Sequence, residues 1–277
     1  MLPLDLELFD SRVDPLLYYD LLHCDKIRLK EVNEHVESLN MSVVVGLIGN
    51  NGIVLATDSQ RTKRNYRIKV TKLWALTPNI GIMTFGYHGG YRQFLINLWK
   101  EKKAHIDNIG YQSVDMFASE VKENIAKYFG SKSKYKPLEV LKLAGEGFDF
   151  VLAGYDVQNN PHIMSVSSMS QVPFIPEECT PCHIDGIKDI GIYWSKKTGV
   201  DDMITNHQLS CDFLKKFAVM IILETIVFSD IVCEPIQLAV IDEKGYQDKS
   251  AEVESIKQEL DSKQQWLYNA LKSMSIS

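Results

Sequence analysis

The spacing of apolar and polar residues changes several times along the chain. Residues 42–48 (SVVVGLI) and 53–58 (IVLATD) are β-branched and almost unbroken in their apolar character. Between them, Gly49, Asn50, Asn51 and Gly52 tolerate the positive φ of a tight turn, so a hairpin is predicted. If the turn centres within residues 50–52, Ser42 lies opposite residues 59–61, close to Asp58. A second hairpin is expected from residues 67–76 (RIKVTKLWAL), a turn at Thr77, Pro78 and Asn79, and residues 80–86 (IGIMTFG). Helical spacing then sets in. Phe94, Leu95 and Leu98 predict a helix over 89–105, and Val114, Phe117, Val121 and Ile125 one over 111–128. Strands return at 148–155 (FDFVLAGY) and 162–166, followed by a long helix at 208–228. A closing hairpin pairs 236–241 with 246 onward. This order predicts an α+β fold, a four-layer αββα sandwich of two antiparallel sheets between helices.

The pattern divides the chain into three parts. Residues 1–41 form an N-terminal extension with a charged helical stretch at 25–37, residues 42–249 hold the sandwich, and residues 250–277 form a charged helical tail.

Two positions break the alternation. Along Ile68, Val70, Lys72, Trp74 and Leu76 one strand face is apolar except for Lys72, and along Val54, Ala56 and Asp58 another face ends in a carboxylate. An isolated buried charge costs several kcal/mol, so Asp58 is the natural partner of Lys72. The pair reads either as a structural ion pair at a strand end or as part of a functional site.

Composition narrows the classes. The 277 residues are 45% hydrophobic and 24% charged, which excludes a disordered or fibrous chain. The net charge of −6 is the wrong sign for a sequence-blind nucleic-acid binder. The longest apolar run, 217–228, contains Glu224 and is too short to span a bilayer, so no membrane partner is expected. Residues 1–10 carry three acids and no base, unlike a signal peptide, and a cytoplasmic location is expected. The five cysteines are scattered, as in a chain with reduced thiols. Cys179, Thr180, Pro181, Cys182 and His183 fit the C-x-x-C-H pattern of haem attachment and half of a zinc site. Without an export signal or a second cysteine pair, a polar loop is the expected reading. The histidines lack H-x-x-x-H spacing and there is no phosphate-binding loop, so no metal and no cofactor is expected.

Residues 42–62 (SVVVGLIGNNGIVLATDSQRT) resemble the opening of a proteasome β-type subunit, where the chain begins with its nucleophile and returns through an A-x-D-S-R-x-T segment. The resemblance continues through Val70, Thr71, Lys72 and Leu73, residues 80–86, Leu152 to Asp156 with Pro161, and the closing hairpin. It includes the bacterial two-component relatives of the proteasome. The family fold is that of the N-terminal nucleophile hydrolases, a four-layer αββα sandwich.

The resemblance implies a set of site residues. Ser42 falls at the family's N-terminal threonine, Lys72 at its catalytic lysine and Gly86 at its oxyanion-hole glycine. Asp58 would hold Lys72. Asp230 matches a supporting aspartate, and Cys233 stands where the family has a serine. Met41 replaces the glycine that precedes the nucleophile in self-cleaving members, and the family's Gly-Ser-Gly segment reads Gly186, Ile187, Lys188. The implied activity is peptide-bond hydrolysis by a threonine/serine-type peptidase acting on peptides or unfolded proteins. The implied partners are further copies in a ring and a regulatory ATPase. A terminal serine can use its own amine, with a pKa of about 8, as the base. That requires residues 1–41 to be absent, through removal or through a start at Met41 followed by loss of the methionine. Two other readings stay open: a non-catalytic structural subunit, and an amidase acting on a small amide.

Overall fold

The computed structural model describes residues 42–63, 66–86, 148–167, 177–206, 208–229 and 231–262, with positions 97, 114, 117, 118 and 121. The expected N-terminal extension and most of the two helices expected at 89–105 and 111–128 lie outside the described residues.

Strands β1 (Val43–Gly49) and β2 (Gly52–Thr57) form the predicted hairpin, with Gly49 paired to Gly52 and Val44 to Thr57. This register places Ser42 level with Ser59, beside Asp58. The hairpin is central to a five-stranded antiparallel sheet in the order β10-β1-β2-β11-β12, where β10 is Cys182–Gly186, β11 Gln237–Asp242 and β12 Gly245–Asp248. A second antiparallel sheet has the order β5-β6-β7-β8-β9: β5 (Leu73–Thr77), β6 (Ile80–Gly86), β7 (Phe148–Tyr155), β8 (Pro161–Ser167) and β9 (Glu177–Glu178).

The central strands are apolar throughout because both of their faces are covered. On one side Val43, Val45, Leu47, Val54, Ala56, Leu238 and Val240 pack against helices α1 (Asp189–Thr198), α2 (Val200–Thr205) and α3 (Cys211–Phe228), and against residues 253–262, which form helix α4. On the other side Val44, Ile48, Ile53, Leu55, Ala239 and Ile241 meet Met83, Phe85, Val151, Ala153 and Ile163 of the second sheet. Positions 114, 117, 118 and 121 are helical and buried, and Val114 abuts Gly154 on the outer face of that sheet. The fold is therefore the α+β four-layer sandwich.

The β1–β2 turn also fixes α3. Asn51 Oδ1 accepts a hydrogen bond from Cys211 N at 2.8 Å, and Ser210 caps the same helix by accepting from Phe213 N at 3.4 Å. The helix begins three residues later than its apolar pattern suggested, because Ser210 takes the cap position.

The expected strand over 67–76 is two strands. Residues Gln60–Lys63 (β3) pair with Tyr66–Lys69 (β4) in a separate ribbon, and the chain leaves that ribbon at Val70 to enter β5 at Leu73. The continuous apolar face predicted through Ile68 does not exist: Ile68 is 43% exposed. Lys72 sits in the break between the two strands.

Candidate active site

The β1–β2 register and the β4–β5 break bring three polar side chains into the core. Lys72 Nζ donates hydrogen bonds to Ser42 Oγ at 2.6 Å and to Asp58 Oδ1 and Oδ2 at 2.8 and 2.9 Å. All three ammonium protons are thereby used. Ser42 is 3% exposed, and Asp58 and Lys72 are fully buried. Asp58 also accepts from Val43 N at 3.2 Å and from Gln60 N at 2.8 Å. Four hydrogen bonds from three donor groups converge on one carboxylate, which is what a buried anion requires.

Burial dominates the electrostatics of the pair. It lowers the Lys72 pKa, against the opposing pull of Asp58 and a smaller one from Cys233. It raises that of Asp58, opposed by the charge and hydrogen bonds of Lys72 and by the Gln60 and Val43 amides. An ammonium held within 2.6 Å of a serine hydroxyl stabilises the alkoxide and lowers the hydroxyl pKa.

The backbone around Ser42 is equally constrained. Its carbonyl accepts from Ile187 N at 3.0 Å, and a Cβ placed on Gly186 would lie 1.8 Å from that oxygen. Gly186 also has φ +81, so both conformation and space require glycine there. Thr57 Oγ1 donates to Val43 O at 2.8 Å.

The other expected site residues are placed as follows. Gly86 ends β6, paired with Phe148; two residues earlier Thr84 N donates to Lys72 O at 3.0 Å. Cys233 lies near enough for its charge to act on Lys72, and its carbonyl accepts from Ser59 N at 3.4 Å. Asp230 lies outside the described residues.

Sequence reasoning missed Gln237. Its Oε1 accepts from Lys72 N at 2.9 Å and Leu73 N at 3.0 Å, and its Nε2 donates to Val70 O at 2.8 Å. The signal was present: Gln237 is the polar exception in the closing apolar segment 236–241 (IQLAVI).

The C-x-x-C-H segment is not wholly a loop. Cys182 and His183 begin β10 and pair with β1. Beside them a cavity of about 300 Å³ is lined in part by Cys182, His183, Asp185, Lys188, Ser195 and Asp201. Cys182 Sγ lies 3.6 Å from Ser195 Oγ, which in turn donates to Asp201. Burial pushes the Cys182 thiol up to about 12 and lowers the His183 pKa. Among the described residues no group of three His, Cys, Asp or Glu side chains is placed to hold a metal ion. Among them, too, no helix is long and apolar enough to cross a membrane.

No curated protein matches the chain in a sequence comparison. A model of the proteasome subunit family does match it, over residues 40–172, a stretch that includes Ser42, Asp58, Lys72 and Gly86 and the strands from β1 to β8. Through that region, and with the sandwich built around it, the chain is similar to the proteasome subunit family.

Proposed function

We propose that the chain is a catalytic proteasome-type subunit that hydrolyses peptide bonds with Ser42 as its N-terminal nucleophile. The observation that carries this reading is the single buried ammonium of Lys72 in contact with both Ser42 Oγ and Asp58.

In this reading residues 1–41 are absent from the working chain and the freed α-amine of Ser42 is the general base. The amine takes the hydroxyl proton as Oγ attacks the scissile carbonyl. Lys72 stabilises the forming alkoxide, and Asp58 keeps Lys72 charged and in place. The Gly86 N–H donates to the oxyanion of the tetrahedral intermediate, an interaction worth about 3–4 kcal/mol in comparable sites. The amine returns its proton to the leaving nitrogen, leaving an acyl ester on Ser42. Water, activated by the same amine, then releases the acid. Asp230 and Cys233 support the amine end of the site. The protein works in the cytoplasm as a ring of copies, on peptides or unfolded chains supplied by a regulatory ATPase.

A structural, non-catalytic ring subunit is the competing reading. It is favoured by Met41, which replaces the glycine of self-cleaving relatives, and by Cys233 in place of serine. Mass spectrometry of protein isolated from its native host, combined with a peptide-hydrolysis assay, separates the two. A chain that starts at Ser42 and cleaves peptides is expected. An intact chain, still carrying residues 1–41 and inert to inhibitors of N-terminal nucleophiles, would establish the structural reading instead.

A further inference from the structure

Residues 70–72 run between β4 and β5, outside either ladder, yet their backbone is tightly held. The Gln237 side chain spans the break, accepting from the N–H groups of Lys72 and Leu73 and donating to the carbonyl of Val70. Only one orientation of the amide fits, because the reverse would set its NH2 against two donors. From the other sheet, Thr84 N and Oγ1 donate to Lys72 O at 3.0 and 3.3 Å. The Lys72 main chain is thus fixed from β11 on one side and from β6 on the other.

Gln237 is also tied to the carboxylate. It lies directly opposite Thr57 in the β2–β11 ladder, and Thr57 immediately precedes Asp58. One residue therefore holds the root of the Lys72 side chain in register with the strand that presents Asp58. Lysine has a long, flexible stem, and its ammonium must meet three acceptors at 2.6–2.9 Å in a space without water contact. Small movements of the root would break that geometry.

We infer that Gln237 is a positioning residue, whose clip across residues 70–73 sets Lys72 Nζ between Ser42 and Asp58. Its consequence for catalysis rests on the reading of Ser42 as nucleophile; the placement of Lys72 does not, and can be observed alone.

The test uses the full chain with 15N-labelled lysine. A fully buried, hydrogen-bonded ammonium exchanges its protons slowly and gives a resolved 15Nζ signal, identified by its loss in Lys72→Arg. Gln237→Met and Gln237→Thr remove the clip while suiting a strand. In whichever of them folds, the Lys72 signal is expected to disappear. Gln237→Glu keeps the acceptors for both N–H groups and is expected to retain it. Gln247→Met removes a bond to Asp242 in the same closing hairpin and is expected to leave the signal unchanged. Where the chain hydrolyses peptides, the clip variants should lower kcat between about tenfold and about a hundredfold with little change in KM. An unaltered Lys72 signal in a folded clip variant overturns the inference. So does failure of both clip variants to fold while Gln237→Glu folds, since Gln237 would then be a folding residue. If no form of the chain cleaves peptides, the peptidase reading falls and the ammonium signal still decides the role of Gln237.

Discussion

Two regions of the first sheet collect the kinds of side chain that carry chemistry, and they handle burial in opposite ways. At the β1–β2 end, Lys72 and Asp58 are both fully buried and paired, and the Val43 and Gln60 amides add hydrogen bonds to the same carboxylate. At β10, Cys182, His183, Ser195 and Asp201 surround a cavity, but their bonds are local, and the buried His183 Nε2 has no hydrogen-bond partner among the described residues. Burial favours neutral forms there, as it does at Lys72 and Asp58: a protonated thiol held up at about 12 and an imidazole with a lowered pKa. Residue types alone would have ranked the second cluster as the more reactive. The partners decide otherwise: Ser42 has an ammonium in contact with its hydroxyl, whereas the contact of Cys182 is the neutral Ser195 hydroxyl.

The largest expected effect comes from removing the cation. Lys72→Ala leaves the Asp58 charge buried and unpaired, which should destabilise the fold by about 3–5 kcal/mol. Any peptide hydrolysis should fall more than about a hundredfold. Denaturant unfolding checks the first figure, and the double variant Lys72→Met with Asp58→Asn should recover most of the lost stability. A single variant as stable as the parent would mean that the two regions do not differ as described.

Next in size is Gly186→Ala, at the point where β10 meets Ser42. A methyl group 1.8 Å from Ser42 O, on a residue with φ +81, must displace one of the two strands. A loss of about 2 kcal/mol or more is expected in thermal unfolding. Cys182→Ala should cost only about 1 kcal/mol. In the native protein Cys182 should resist iodoacetamide at mildly alkaline pH and react once the chain is unfolded, as peptide mass mapping would show.

The smallest effect concerns a half-exposed ion cluster, which gives a scale for the buried one. His162 contacts Asp156 at 3.0 Å and Glu178 at 2.6 Å. Partial burial lowers the His162 pKa, but these hydrogen bonds outweigh it and the net direction is upward from 6.5. For Asp156 desolvation acts upward, yet hydrogen bonds from Asn160, His162 and Gln158 hold the carboxyl down at about 2. The histidine contribution is therefore complete below pH 6.5 and lost as pH rises through its higher folded value. The aspartate contribution is complete above 3.8 and lost as pH falls toward 2. Melting temperatures at pH about 5 and about 8 should differ less for His162→Gln than for the parent. An equal difference would remove His162 as the source.

What the sequence disclosed follows from the range of the interactions. The β1–β2 hairpin was legible because its turn is local and its strands are apolar on both faces, and the observed Val44–Thr57 register is one of the three that its turn allowed. The Lys72–Asp58 pair was legible because a charge in an apolar run needs an opposite charge nearby. The break at residues 70–72 was not, since 67–76 has strand propensity throughout and what ends the strand is a change of pairing partner. The group that stabilises the break, Gln237, lies 165 positions from Lys72. Helices α1 and α2 were missed for a different reason. They are short, and Gly199 is at once the left-handed cap of one and the start of the other, so no long helical period develops. The role of Gly186 was hidden too, since a clash with a carbonyl exists only once β10 pairs with β1.

The anchoring of Ser42 has a consequence for any chain that begins there. Its carbonyl is held by Ile187 N, the following amide by Asp58, and its hydroxyl by Lys72. With two substituents of its Cα fixed, L-chirality fixes the direction of the third, the nitrogen. A terminus is ordinarily the most disordered part of a protein, and ordering one residue costs about 1–2 kcal/mol of backbone entropy. Here folding has already met that cost, so a liberated amine would stand in place from the moment the preceding bond was gone.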